Sequence, residues 1–504
     1  MKAFTSRPAL LRSWKYACAQ RGFANSHSKH VPRARMTREE TDSEISRFTA
    51  TLDNSLDLFL EEHSSLSLLT HHVKELRRAA DRLESAIAMR EERTSTAFRQ
   101  KSIPAGYYRG GTSRAVILQK SNLSDDEEER HDAFRQIIGS NDPHGRQLNG
   151  MGAGVSSLSK ICLVEPAPPE AEAEADILYT FVGMGIEGDE VDLNGNCGNM
   201  AAAIGPYVFN EHALAYGKGK CNGKRMLNGL TCDGFGTRPI GITYNILNTN
   251  TNVMIRSSFY TMGTEAYVDD STSIDGVTGY GTGVTLDFLS PGGSKTGKLL
   301  PTGKAVDIIN NINVSCVDAA NPCVFVKASD LGIEPTILPT QFLARPIDLQ
   351  KLEDIRSQAA VLMGLCKVGD TPPRVIPKIG IVSPPVEQQV LSKETNAADT
   401  LDLVVRFISD GQPHRAIPLT AALCTAAAAK VPGSVVQQCV RETPVNADVI
   451  TIGHPSGRIQ VNATMDDHGY VECCTVVRTA RRIMSGHVYY TPKLTPKRTP
   501  EDST

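Results

Sequence analysis

An α+β fold of two similar domains facing one another is predicted, and three observations predict it. Two segments, 201–209 (AAAIGPYVF) and 420–429 (TAALCTAAAA), are apolar on every face and therefore read as core helices. Each is entered through a polar turn, and each half of the chain surrounds its helix with short β-type runs. At 504 residues the chain is long enough for two ordinary domains with extensions. The boundaries expected are 101–290 and 291–492, with the terminal strands free to cross back, followed by a tail at 493–504.

Composition excludes several classes of function. With 40% hydrophobic residues, 22% charged residues and a net charge of −3, nothing calls for nucleic acid or a membrane surface as partner. No window reaches the roughly 18 uninterrupted apolar residues of a membrane helix. Twelve cysteines without a CxxC pair read as reduced intracellular thiols, not as a disulfide frame. The histidines are scattered, only His71 and His72 being adjacent, and HExxH or Cys/His ligand spacing is missing, so no metal is expected.

Taken in order, residues 1–38 hold nine Lys or Arg and no acid, the first carboxylate being Glu39. That is the composition of a mitochondrial transit peptide or of a disordered basic tail, and a start at Met36 would remove it. Mitochondrial and cytoplasmic placements both stay open. Over 39–100, Val73, Leu76, Ala80, Leu83 and Ile87 follow the spacing of one helix face, behind a second apolar set around Leu56–Leu60. This predicts a helical arm docked on the core or on a partner chain, and a homodimer is among the assemblies it allows.

From Ile103 the chain alternates Gly-rich loops with β-type runs. RGGTSR (109–114) leads into the strand AVIL, and a charged helix follows at 125–138. The irregular stretch 139–160 is long and rich in Gly, Asn and Ser, which marks functional loops more often than structural ones. The Pro/Ala/Glu-rich segment 165–176 reads as a solvated loop. ILYTFVGMGI is a strand running into NGNCGNM, and IGITYNI, VMIRSSF and VTLDF are further strands. PGGSKTGKLL is a near miss to the P-loop, with Leu299 where Ser or Thr would ligate magnesium, so nucleotide binding is not expected. Strands at NPCVFVK, PKIGIVS and LVVRFIS, a helix at 348–363, and the strands HPSGRIQVNA and CCTVVRTARRIMSGHVYY complete the core.

The chemistry centres on 155–200. Cys197 stands at the start of the first apolar helix, where unpaired amides and the positive dipole end favour a thiolate. Lys160 comes at the edge of the run VSSLSKICLV. An amine and a thiol together suit proton transfer at carbon. Alone, Lys160 would read as a surface lysine and Cys197 as a small buried hydrophobe. Arg109, Gly111, Thr112 and Ser113 form a plausible carboxylate cradle, the glycine allowing close backbone approach. Ser157, Ser159, Asn196, Gly198 and Asn199 surround the amine and the thiol in sequence. Ser294, Thr296 and Lys298 suit an anionic substrate, and His454 and Ser456 sit on a loop able to complete the pocket.

RGGTSR, GSNDPHGRQLNGMGAGVSSLSK, NGNCGNM, PGGSKTGKLLPTG, NPCVFVKASDLG, IPLTAALC and GHPSG occur in this order. In this the chain resembles the PrpF-like family of methylaconitate and aconitate isomerases, within the diaminopimelate epimerase fold superfamily. The resemblance implies two pseudo-symmetric domains, each a barrel-like sheet around a central helix, with the active site between them. It also implies chemistry without a cofactor on a small unsaturated polycarboxylate, with the family's catalytic lysine and cysteine falling on Lys160 and Cys197. Arg114 stands where many members carry Lys, and GMGAGVSS varies on a glycine-richer form. Three functions compete: isomerisation of an aconitate-type tricarboxylate, keto–enol tautomerisation of an oxalomesaconate-type substrate, and carboxylate binding without turnover. An epimerase with two opposed thiols would need Cys424 or Cys323 to face Cys197, and the Lys/Cys pattern argues against it.

Overall fold

A computed structural model of the chain describes residues 100–492 apart from 169–173, 216–224, 227–238, 264 and 410. The basic segment, the helical arm as far as residue 99 and the tail therefore lie outside the described residues.

The first half builds a barrel. Strands β1 (Lys101–Gly110) and β2 (Ser113–Gln119) form a hairpin, β3 (Lys160–Pro166) runs parallel to β2, and β4 (Ile177–Met184) returns antiparallel. Strand β5 (Ile240–Asn248) runs parallel to β4 and continues through β6 (Val253–Met262) to β7 (Gly283–Leu289). The last described strand, which pairs with both β7 and β1, closes the ring. Inside lies α2 (Gly198–Ala215); on the outer face α1 (Glu127–Ile138), capped by Asp126, covers β1 to β3. Met200 to Ile204 are all fully buried. Three of the five are alanines, and such small side chains let a helix fill so narrow a barrel.

In the second half, β8 (Ile312–Ala319), β9 (Asn321–Lys327), β10 (Lys378–Ser383), β11 (Leu403–Ser409), β12 (Ile450–His454) and β13 (Gly457–Met465) curve around α4 (Leu419–Ala429). Outside, α3 (Pro346–Leu362) packs Leu352, Ile355 and Ala359 on Ile379 and Ile381. Being covered on both faces, β9 and β10 are apolar runs without alternation, whereas β6, covered on one, alternates buried and exposed positions. β13 pairs with the last described strand, β14 (Val471–Tyr490), which returns to the wall of the first barrel. The α+β architecture with one central helix per half is the one expected. Among the described residues no helix is long and apolar enough to cross a membrane.

Candidate active site

The N-termini of α2 and α4 meet at the junction of the two halves. Gly198 packs against Leu419 and Thr420, where a Cβ would already sit 3.2 Å from the Thr420 methyl. Asn321, fully buried, ties the two starts together. Its Oδ1 accepts from the Asn196 amide (3.1 Å), and its Nδ2 donates to the Asn196 carbonyl (2.8 Å) and to Thr420 Oγ1 (3.0 Å). The first amides of each helix have no intrahelical acceptor, and both helix starts line one cleft that is open to solvent at its mouth.

Cys197 precedes α2 and is half-buried in this cleft. Its carbonyl accepts from Met200 and Ala201 of the first turn and from the Tyr179 hydroxyl (3.3 Å). Its Sγ lies 3.8 Å from Ser113 Oγ. Behind it, the fully buried Cys162 contacts the same tyrosine hydroxyl, and burial pushes both of these groups toward the protonated form. The preceding turn is shaped by Asp192, which accepts from Asn194 N and Nδ2 with one oxygen and from Val375 N with the other.

Lys160 opens β3 opposite Gly183, and its ammonium lies 4.9 Å from the centre of the Phe181 ring. It lines the same cleft as Cys197. Lys378 does so too, donating to the Val375 carbonyl (2.7 Å), as does Arg374, paired with Glu190 at 2.9 Å. Lys160, Lys378 and Arg374 thus outnumber the carboxylates of Asp192 and Glu190, both of which already have partners. The surplus of positive charge suits a polyanion. His414 completes the wall; its Nδ1 accepts from the Ala416 amide (3.1 Å).

Of the residues singled out in the sequence, Lys160, Cys197, Ser113, Ser159, Asn196, Gly198 and Asn199 all reach this cleft. The Ser159 hydroxyl is held by Gln147 Oε1 and the Val155 carbonyl, which pins the 147–159 loop. The amide of Asn196 is buried with neither Nδ2 nor Oδ1 in a hydrogen bond. Thr112, Ser157 and Ser456 line an adjoining outer cavity that shares His414 with the cleft. The others do not line the cleft. Gly111 (φ +50°) makes the β1–β2 turn, and a side chain there would strike Asn199. Arg109 braces that turn, donating to the Gly111 and Thr479 carbonyls at 3.0 and 2.8 Å. Ser294 and Thr296 do hold a carboxylate, but it is the protein's own: Asp318, fully buried, accepts from both hydroxyls and from the amides of Lys295 and Thr296. Lys298 is exposed and lines neither cavity. His454 is buried behind the loop, accepting from the Ser456 amide. Cys323 and Cys424 are fully buried and line neither cavity, so no second thiol opposes Cys197 among the described residues.

Sequence reasoning missed Lys378, Arg374, His414 and Asn321. Two of them carried a signal: a lysine heading the fully buried strand KIGIVS, and a histidine in the polar turn before the second core helix.

A model of the PrpF protein family matches residues 100–491. The 3-methylitaconate isomerase of Eubacterium barkeri is 34% identical over 398 residues, covering 77% of this chain and 97% of that protein. The 2-methyl-aconitate isomerase of Shewanella oneidensis is 30% identical over 406 residues, 77% of this chain and 97% of the relative. A crystal structure of methylitaconate-delta-isomerase superposes with a TM-score of 0.59 at 34% identity, covering 78% of this chain and 96% of the other.

Proposed function

The chain belongs to the PrpF family, and from that premise and the cleft we propose that it is an isomerase of unsaturated polycarboxylates of the aconitate or methylaconitate type. The observation that carries the reading is that Lys160 and Cys197, from different elements, line one cleft together with Lys378 and Arg374, which suit the carboxylates of a substrate. The relatives named for isomerisation of methylitaconate and methylaconitate support the same class of substrate.

In the reaction the Lys160 amine takes a proton from the saturated carbon beside the C=C bond. The electron pair left behind spreads through the double bond into the adjoining carboxylate. A proton then returns at the other end of the allyl system, or at the same carbon after rotation, from Cys197 Sγ–H or from the Lys160 ammonium. The first shifts the double bond; the second changes its geometry. Lys378, Arg374 and the first amides of α2 and α4 hold the carboxylates and stabilise the charge as it spreads, the contribution that weighs most in such sites.

The test is turnover in D₂O followed by proton NMR, with cis- and trans-aconitate, 2-methylaconitate, 3-methylitaconate and an oxalomesaconate-type substrate. Double-bond migration or cis/trans exchange with solvent deuterium incorporated is expected for a tricarboxylate. Lys160→Ala and Cys197→Ala should each abolish it while unfolding at the wild-type temperature. Full turnover by both variants refutes the assignment.

A further inference from the structure

We propose that His414 is a catalytic hydrogen-bond donor, its Nε2–H facing the substrate carboxylate oxygen on which charge collects as the proton leaves carbon. This deepens the isomerase reading and rests on it.

Three observations carry the inference. His414 lines both the cleft that holds Lys160 and Cys197 and the adjoining cavity, so it stands on the wall between them. The tautomer is set by the backbone: the Ala416 amide donates to Nδ1 at 3.1 Å, which leaves the single proton of a neutral ring on Nε2. The residue is itself anchored, its own amide donating to the Phe407 carbonyl at 2.8 Å.

Burial above all keeps the ring neutral. With the charges of Lys160 on β3 and Lys378 at the head of β10 it pushes the pKa down to about 3. His454, on β12 behind it, is buried and held uncharged in the same way. Arg415 is its neighbour in sequence, and Glu394 lines the outer cavity with it. The cleft carboxylates, which would otherwise draw a proton onto the ring, are engaged elsewhere: Glu190 by Arg374, and Asp192 by the amides of Asn194 and Val375.

A ring with Nδ1 occupied and Nε2 protonated has no lone pair to offer. It is therefore no base, and proton transfer stays with Lys160 and Cys197. What it does offer is a preorganised donor for an oxyanion. The proton remains on nitrogen throughout, so no bond is made or broken at the histidine.

The experiment compares His414→Gln, His414→Asn and His414→Ala. Glutamine can place an N–H donor near the position of Nε2; asparagine can answer the Ala416 amide but is too short to reach the cleft; alanine does neither. Loss of one preorganised donor predicts a fall in kcat of about 10²–10³-fold for the Asn and Ala variants, with KM within a few-fold of wild type. His414→Gln should recover to within about tenfold of wild type. A structural role would instead make Asn and Gln equivalent. Independently of substrate, ¹⁵N NMR of histidine-labelled wild-type protein should show His414 as the neutral Nε2–H tautomer from pH 5 to 8. The proposal is overturned if the Asn and Ala variants keep wild-type kcat, if Gln is as slow as Ala, or if the spectrum shows an imidazolium or the Nδ1–H form at pH 7. Wild-type protein that turns over no substrate of the panel overturns the isomerase reading and the catalytic role with it. Normal wild-type turnover with an indifferent His414 overturns only this proposal.

Discussion

The strongest consequence of the geometry concerns Asn321, which touches neither Lys160 nor Cys197 by any hydrogen bond and yet holds the two halves of the cleft in register. Asn321→Ala removes the partner of the Asn196 N–H, of the Asn196 carbonyl and of the Thr420 hydroxyl at a fully buried position. Each buried polar group left unpaired costs about 1–3 kcal/mol. With water from the cleft relieving part of it, the loss should come to about 3–5 kcal/mol. Thr420→Ala gives the internal scale. It removes the 3.0 Å contact and the methyl beside Gly198 while leaving Asn321 bonded to Asn196, so it should lower stability by about 2 kcal/mol. Urea unfolding followed by far-ultraviolet circular dichroism is the assay, because the single tryptophan, Trp14, lies outside the described residues. Turnover measured beside it should fall more steeply for Asn321→Ala, since the freed turn is the one that carries Cys197. If Asn321→Ala unfolds within about 0.5 kcal/mol of wild type, a change typical of an inert surface site, the clasp is not what joins the helix starts and the reasoning fails.

The remaining predictions follow from single side chains. Lys378→Met should lower kcat/KM for a tricarboxylate about 10–100-fold, the worth of one hydrogen bond to a charged group, with kcat falling as well as KM rising because the charge it faces grows in the transition state; an unchanged kcat/KM would remove Lys378 from the site. Asp318→Asn should destabilise by about 2–3 kcal/mol through its lost charge-assisted bonds and leave KM alone, whereas a large rise in KM would return Ser294 and Thr296 to the substrate. His454 predicts a pH dependence of stability: burial and the charges of Arg478 and Arg406 hold its pKa down to about 3. The unfolded chain takes up that proton near pH 6.5. It therefore binds more protons than the folded chain below this value, and stability is lost as pH falls from 6.5 toward 3. The slope is about 1.4 kcal/mol per pH unit for this one residue. His454→Gln should flatten the curve between pH 6.5 and 5 by that amount, and parallel curves for variant and wild type would show that His454 does not titrate as argued.

How much of this was legible in the sequence depends on the range over which each signal acts. The two core helices were plain because uninterrupted apolar composition is a local property; α4 lies within one residue of its expected span, while α2 starts three residues earlier and runs six further than the apolar run alone indicates. Cys197 was legible for the same reason: a polar turn and the helix it starts are contiguous. Asn321 was not, since its partners are 125 and 99 residues away and no local pattern records them. PGGSKTG shows the limit from the other side. The chemistry read there, hydroxyls and amides gathered to hold a carboxylate, is what the loop does; which carboxylate it holds is decided by the β8 turn that brings Asp318 underneath. The fold also bears on the choice between a lysine–thiol pair and two opposed thiols. Two similar helix starts converge on one cleft, and a pair of opposed thiols would be the symmetric way to use them. Here the first start carries Cys197 and the second carries Thr420, whose hydroxyl is bound to Asn321, while Cys424 lies one turn deeper with its sulfur against the Val317 carbonyl. A thiol on that side is thus replaced by packing. A second proton-handling group has to be sought elsewhere on the wall, and Lys160, brought there by the edge of β3, is the one the proposed reaction uses.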